Sequence, residues 1–280
     1  MAPCLRYNKR MKTTENKLIT IKKIFAALIF ILSICVVTAC GAQRGQEAFV
    51  TDRGVRVGII DTGFSEKAIP ADNIYGGKNY VDESMGIADT YGHGTAVAGI
   101  ILEQVPDAEL VALVSSVYGH GKLTQVDADT FAGIILDAVD VYECDIINVS
   151  MGFAADVESV RLAIEHAQEE GVVIVAAAGN DYAENSEVEY YPAAYATVIA
   201  VGALNEELTQ IADFSQRGGW VNGYEAGENV AVRTLSGSTR TVNGTSYSAA
   251  AVTAKAAKLL MENPGLTPGQ VLERIDFTAH

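Results

Sequence analysis

Apolar residues follow two recurring patterns along this chain. Short, nearly uninterrupted apolar runs predict strands buried on both faces; they span residues 55–60, 108–114, 145–151, 172–178 and 196–203. Between them, apolar positions at helical spacing predict helices over residues 93–104, 127–143 and 156–171. A loop containing Gly119 and Gly121 is expected after the second strand. Such alternation predicts a parallel sheet with helices on both faces.

The length and composition indicate one folded domain. A chain of 280 residues with 49% hydrophobic content can bury a substantial core. One domain of about 230 residues, preceded by an export segment, fits this length better than two domains do.

The first forty residues have the pattern of an export signal. Residues 1–23 carry seven Lys and Arg against one acid, and residues 24–40 are apolar. Residues 37–40 (VTAC) resemble a bacterial lipobox, in which Cys40 would be lipidated and become the new N-terminus. We expect residues 1–39 to be a lipoprotein-type signal peptide and residues 40–54 a short tether. An uncleaved anchor helix is the alternative. Either arrangement tethers the domain to a bacterial cell membrane on its extracytoplasmic side.

The charge of the remaining chain excludes one class of partner. From Cys40 onward there are 13 basic and 34 acidic residues, a net charge of −21. Nucleic acid is not an expected partner, because binding phosphates requires a basic surface. The lipid at Cys40, and not the protein surface, would hold the domain at the membrane. Cys144 is the single cysteine after Cys40, so no internal disulfide is expected and Cys144 is a packing residue.

Asp61 raises the first question about chemistry. It ends the apolar run of residues 55–60 and opens the triplet Asp-Thr-Gly. Aspartic proteases need two such carboxylates, but the chain has no second Asp-Thr-Gly or Asp-Ser-Gly. Asp61 could instead orient a catalytic histidine, or belong to an ordinary turn. Ligands of parallel sheets bind beyond the carboxyl ends of the strands, which is where Asp61 is expected.

Three further polar residues stand at comparable positions. His93 lies between two glycines at the start of a predicted helix, where backbone and substrate can approach the ring closely. Ser246 lies where a glycine-containing turn becomes an alanine-rich helix, and Asn180 follows a buried strand and a glycine. A packing histidine, an N-cap serine and a turn asparagine are the ordinary structural explanations. A nucleophile at a helix N-terminus and an amide that stabilises an oxyanion are the functional ones.

The order of these residues, and the segments around them, resemble one protein family. The segments are IIDTG, GHGTAVAG, INVSMG, AAAGN, YPAAY, VIAVGA and NGTSYSAA. They resemble the subtilisin-like serine proteases, or subtilases (peptidase S8), over about residues 55–276. The resemblance implies an α/β fold of the subtilisin-like three-layer α/β/α type, with a mostly parallel central sheet in a single domain over residues 55–280. It also implies a serine endopeptidase that works through an acyl-enzyme.

The resemblance assigns a role to each candidate residue. Ser246 would be the nucleophile, His93 the general base and Asp61 the acid that orients the imidazole. Asn180, together with the Ser246 N–H, would form the oxyanion hole. The specificity cleft would be lined by two short segments and the residue at the base of the pocket: Ser150, Met151, Gly152, Ala177, Ala178, Gly179 and Tyr190. Residues 118–122 would pair with an extended peptide.

Tyr190 bears on substrate choice. It stands where small residues keep the family's pocket deep, so its ring predicts a shallow pocket that favours Ala, Gly or Ser before the cleaved bond. The alternative is that acids of the same loop select Lys or Arg by charge pairing. Those acids are Asp181, Glu184, Glu187 and Glu189.

Some positions depart from the family. Ala96, Tyr247 and Ala250 replace the usual His, Met and Pro, which suggests a divergent branch. The short link at residues 102–110 leaves no room for the family's tight calcium loop, so no metal or other cofactor is expected. We expect a monomer whose partner is a peptide or protein substrate. The alternative from another class is a catalytically inactive, peptide-binding surface lipoprotein; a serine esterase is a weaker one.

Overall fold

A parallel sheet forms the centre of the domain. The computed structural model describes residues 53–279, so the predicted signal peptide, Cys40 and nearly all of the tether lie outside the described residues. Within that range the strand order is β2-β3-β1-β6-β7-β8-β9, and every neighbouring pair is parallel. The strands are β1 Arg56–Asp61, β2 Ile74–Asn79, β3 Glu109–Val114, β6 Ile146–Val149, β7 Val173–Ala177, β8 Ile199–Leu204 and β9 Gly223–Ala226.

Helices cover both faces of this sheet. They are α1 His93–Gln104, α2 Ala128–Asp140, α3 Glu158–Glu169, α4 Thr245–Glu262 and α5 Pro268–Arg274. Alternate residues of each strand belong to different cores: Leu110 packs in the core with α1 and α4, whereas Val111 packs in the core with α2 and α3. Continuous apolar strands are therefore required, because both faces are buried. The predicted three-layer α/β/α fold is confirmed.

The predicted central elements form with small changes at their ends. Helix α1 spans the predicted residues 93–104, and α2 and α3 are a few residues shorter than predicted. Strands β2 and β9 were not predicted, because the first is glycine-rich and the second, with the sequence GYEA, has no apolar run. Helix α5 was also not predicted, although Thr267 forms a capping box with Gln270 at its start.

Two small antiparallel hairpins lie outside the main sheet. One pairs β10 (Val230–Arg233) with β11 (Thr239–Val242). The other pairs β4 (Ser116–Gly119) with β5 (Lys122–Gln125), where the sequence predicted a loop. His120 and Gly121 connect β4 and β5 with φ angles of 53° and 74°, as a tight type I′ turn requires. The prediction was wrong because only four residues lie on each side of this turn.

The length and hydropathy of a helix decide whether it can span a membrane. Among residues 53–279, no helix is both long and apolar enough to span a bilayer.

Candidate active site

Asp61 is held rigidly at the centre of the sheet. It is the last residue of β1, which lies between β3 and β6, so its side chain emerges at the carboxyl edge of the strands. The side chain is buried, and both carboxylate oxygens lie 2.8 Å from His93 Nδ1. One of them also accepts a hydrogen bond from the Thr62 N–H at 2.7 Å. The carboxylate therefore has one orientation, and that orientation faces the imidazole.

His93 is the first residue of α1. The helix approaches the loop after β1 so closely that a Cβ at Gly94 would lie 2.5 Å from the Gly63 carbonyl oxygen. The Gly94 N–H donates to Thr62 Oγ1 at 2.9 Å, which fixes this approach. The glycine after the histidine is thus needed for the helix and the Asp61 loop to meet.

The charges around His93 favour its protonated form. Burial lowers the pKa of the imidazole, but the Asp61 carboxylate, the hydrogen bond to it and the charge of Asp89 raise it. The net pKa is above the ordinary value, with Arg240 opposing the rise. An imidazolium next to Asp61 is therefore stabilised. A general base needs this, because it carries the extra proton during the reaction.

Asp89 fixes the turn that presents His93, although it was not among the predicted site residues. One of its oxygens accepts from the N–H groups of Tyr91 and Gly92 at 2.9 and 2.7 Å. The other accepts from the N–H and the hydroxyl of Thr95 at 2.9 and 2.6 Å. The side chain is buried, so water could not replace the carboxylate as the acceptor for these donors. The signal that could have found it is an acid just before a predicted helix start.

Ser246 lies in the first turn of α4, the longest helix among residues 53–279. The two N–H groups beside it are satisfied: that of Thr245 donates to Asn180 Oδ1 at 2.8 Å, and that of Tyr247 to the Gly244 carbonyl at 3.2 Å. The Ser246 N–H has no partner within the described residues. A free donor at the positive end of a long helix is suited to binding an anion.

The Asn180 amide is anchored through its oxygen. Oδ1 accepts from both the backbone N–H and the hydroxyl of Thr245, at 2.8 and 2.9 Å. This leaves Nδ2 without a hydrogen-bond partner in the part of the chain that the structure describes. Thr245 was not among the predicted site residues, although it is fully buried and orients Asn180.

One cavity joins Ser246, Asn180 and most of the predicted cleft residues. It has a volume of about 210 Å³. Its walls include six of the seven predicted cleft residues: Ser150, Met151, Gly152, Ala177, Gly179 and Tyr190. Ala178 is the exception, because its side chain points into the core and is fully buried. The predicted cleft residues other than Ala178 therefore meet at Ser246.

A second cavity, of about 120 Å³, contains Asp61 and His93. It is bordered by Leu123 of the β4–β5 hairpin and shares Ser150 and Met151 with the first cavity. The two cavities are therefore neighbours in one cleft. No hydrogen bond joins Ser246 to the His93 ring among the described residues, and such bonds often form only when substrate binds.

Comparison with known proteins places this chain in a family. Residues 52–279 match the model of the subtilase family, peptidase S8. This chain belongs to the subtilases. Subtilisin DY of Bacillus licheniformis is 33% identical over 243 residues, which cover 85% of this chain and 88% of that protein. Minor extracellular protease Epr of Bacillus subtilis (strain 168) is 32% identical over 239 residues, which are 36% of its own length.

A solved structure agrees with this assignment. The S41 psychrophilic protease has a TM-score of 0.68 and 25% identity, over 79% of this chain and 81% of that one. Subtilases are serine endopeptidases, and this chain is a serine endopeptidase.

The first cavity of this subtilase contains an unusual acid–phenol pair. The Tyr190 hydroxyl donates to Asp181 at 2.5 Å, and the ring covers Gly179, where a Cβ would lie 2.8 Å from it. Asn185 and Gln216 also donate to Asp181, at 2.7 and 3.2 Å. Burial raises the pKa of Asp181, but these three hydrogen bonds outweigh it and lower the pKa. The bond to Asp181 in turn raises the pKa of Tyr190 to about 12.

The other three acids of the loop that follows Asn180 lie outside the first cavity. Glu184, Glu187 and Glu189 are exposed and do not line the cavity, whereas Asp181 does. Of the four acids, therefore, only Asp181 has a position from which it could act on a bound side chain.

The departures from the family occupy buried positions. Ala96 and Ala250 are fully buried in the core that α1 and α4 share. The Tyr247 ring packs against the His93 ring with centroids 5.5 Å apart and planes inclined by 42°. It is 5% exposed, so it restricts the space into which the imidazole can turn.

Within residues 53–279, no group of three or more His, Cys, Asp or Glu side chains is arranged to hold a metal ion. The expectation that a tight calcium site is missing remains a prediction.

Proposed function

We propose that Ser246, His93 and Asp61 form the catalytic triad of this endopeptidase. The observation that carries the proposal is the Asp61–His93 pair, in which both carboxylate oxygens lie 2.8 Å from Nδ1, in the cleft that also holds Ser246. With Nδ1–H bound to Asp61, Nε2 is the free, basic nitrogen. Nε2 is thus the atom available to the serine hydroxyl.

The reaction follows from these positions. Ser246 Oγ attacks the carbonyl carbon of the peptide bond while its proton moves to His93 Nε2. The tetrahedral intermediate collapses, the C–N bond breaks, and the imidazolium gives its proton to the leaving amine. A water molecule, deprotonated by the same imidazole, then attacks the acyl carbon. The bond to Ser246 Oγ breaks, the carboxylic acid product leaves, and the imidazolium returns its proton to Oγ. Asp61 stays ionised throughout and stabilises the imidazolium.

The oxyanion is proposed to be bound by Asn180 Nδ2 and the Ser246 N–H. Both are donors without a protein partner in residues 53–279, and both border the same cavity. Thr245 holds the amide oxygen, so Asn180 needs no reorganisation when charge develops on the carbonyl oxygen. Removing a side-chain donor of this kind costs about 3–4 kcal/mol of transition-state stabilisation.

The substrate is proposed to be an extended peptide with a small residue before the cleaved bond. That residue would enter the first cavity, where the Tyr190 ring lies over Gly179 and is held by Asp181. The earlier residues would lie along the second cavity and the β4–β5 hairpin. A basic residue that reaches Asp181 is the alternative, and cleavage-site profiling distinguishes the two.

We also propose that the enzyme acts outside the cytoplasm, tethered through Cys40. The basic and apolar pattern of residues 1–40 supports this, as does the extracellular protease among the relatives. A Cys40→Ala variant should lose incorporation of a radiolabelled fatty acid and move from the membrane fraction to the medium or the periplasm. Lipid labelling that persists in this variant would contradict the assignment.

The triad is tested on purified residues 41–280. An organophosphonate should label the parent at Ser246, as located by mass spectrometry, and should not label Ser246→Ala. Peptide hydrolysis should nearly vanish in Ser246→Ala and in His93→Ala, and the double variant should be scarcely worse because triad residues act together. Ser159→Ala, which changes a half-buried serine on α3 that lines neither cavity, is the control and should keep full activity.

Two outcomes would contradict the proposal. Hydrolysis that survives in Ser246→Ala would exclude Ser246 as the nucleophile. A folded protein that binds peptides but is neither labelled nor active would instead support the inactive peptide-binding lipoprotein.

A further inference from the structure

Arg240 lies on the hairpin next to the proposed triad. It belongs to β11 and stands directly opposite Val232 of β10. Directly opposite residues of an antiparallel pair project from the same face. Val232 is 3% exposed and packs in the core. The turn of this hairpin lies beside the residue before His93, because a Cβ at Gly92 would lie 3.4 Å from Leu235 Cγ, so the hairpin that carries Arg240 borders the start of α1. Arg240 itself is exposed.

The Arg240 guanidinium is within electrostatic reach of two residues of the site. It lowers the pKa of His93, against the two carboxylates that raise it. Burial raises the pKa of Tyr247 to about 12, and Arg240 opposes that rise as well. The approach of the hairpin turn to Gly92 and the position indicated by these charges agree.

Arg240 has no acidic partner of its own. Within residues 53–279 it forms no ion pair and no hydrogen bond. Arg53, Arg56 and Arg161 are paired with acids, and Arg217 and Arg233 donate to backbone carbonyls. The Arg240 guanidinium is therefore available to a ligand. It presents N–H donors in a fork that matches a carboxylate.

The direction of the substrate places Arg240 on the leaving-group side. Both cavities are assigned to residues that precede the cleaved bond, and Arg240 lines neither of them. The leaving amine must lie near His93, which protonates it. Strand β11 leads through Asn243 and Gly244 directly into the α4 turn that carries Ser246. A peptide that continues past Ser246 therefore runs beside Tyr247 and β11.

We infer that Arg240 binds a carboxylate of the substrate on the leaving-group side, either an Asp or Glu side chain or the C-terminal carboxylate. The inference rests on the proposed function, since Ser246 and His93 define the direction of the peptide. It identifies the substrate class as peptides with negative charge shortly after the cleaved bond. The ion pair between Arg240 and the substrate carboxylate would be exposed to solvent. The kcat/KM of an acidic peptide should therefore exceed that of its neutral counterpart about two- to fivefold, and this ratio should fall as salt is added.

The test uses quenched fluorescent peptides that share the same residues before the cleaved bond and differ in the residues after it. Asp is compared with Asn at each of the first three positions after the cleaved bond, and a free C-terminus is compared with an amide. Each series is measured on the parent, Arg240→Gln, Arg240→Lys and Arg274→Gln. Arg274 is an exposed arginine at the end of α5 and is the matched control for charge.

We expect the parent and Arg274→Gln to prefer the carboxylate, Arg240→Lys to keep part of that preference, and Arg240→Gln to lose it. The series that shows the preference identifies a side chain or a C-terminus as its source. No preference in the parent, or equal losses on acidic and neutral peptides in Arg240→Gln, would overturn the inference. Phosphonate labelling of Ser246 and hydrolysis of the neutral peptides show separately whether the proposed function holds.

Discussion

Replacing Asp89 by Asn should destabilise the protein far more than an isosteric change normally does. The variant keeps one acceptor oxygen and places an NH₂ group where the other oxygen now accepts two hydrogen bonds. At least two hydrogen bonds to a buried charge are lost, each worth about 1.5–3 kcal/mol. The expected cost is about 3–6 kcal/mol, a large part of the stability of an ordinary domain.

The assay is urea unfolding in a Ser246→Ala background, which prevents self-digestion. Asp127→Asn is the matched control: Asp127 caps α2 by accepting from the Thr130 N–H at 2.9 Å, but it is exposed, and Asn caps helices almost equally well. The control should change the free energy of unfolding by no more than about 0.5 kcal/mol.

Activity gives an independent readout of Asp89. Its charge raises the pKa of His93, so Asp89→Asn should move the acid limb of kcat/KM to lower pH as well as reduce kcat. A reduced kcat with an unmoved limb would mean that Asp89 acts only by fixing the turn. The reasoning would be refuted if the free energy of unfolding stayed within 1 kcal/mol of the parent and the acid limb of kcat/KM also did not move.

Four further predictions follow from the same site. Thr245→Val should lower kcat about three- to tenfold with little change in KM, because it removes two neutral hydrogen bonds, one to Asn180 and one from the Gly179 N–H, and so frees the Asn180 amide; a change in KM alone would contradict this. In a pH–rate profile, kcat/KM should fall on the acid side with a midpoint above about 6.5, since the raised pKa keeps His93 protonated to higher pH; a midpoint below 6 would be inconsistent. Tyr190→Gly should widen tolerance to large residues in peptide-library profiling, whereas a parent preference for Phe or Leu would rule out the shallow pocket. Chelation by EDTA should leave the melting temperature little changed, and a large drop would reveal a cation site.

The sequence alone determined the architecture and the candidate residues. Continuous apolar strands can exist only where both faces are covered, so the run ending at Asp61 already required a buried parallel strand. The glycines beside His93 and the turn before Ser246 are local features, because each depends on a backbone conformation that a few neighbouring residues specify. The order of these motifs was sufficient for the family.

Tertiary structure decided which side chains hold the candidates in position. Thr245 became visible only through a contact between segments, because it meets Asn180, 65 residues away in sequence. The β4–β5 hairpin, and the pairing that places Arg240 opposite Val232, likewise depend on strand pairing. Periodicity reports which face of an element is buried, but it carries no information about which distant polar group will meet that face. A buried carboxylate or hydroxyl acquires its role from the donors that the completed fold brings to it.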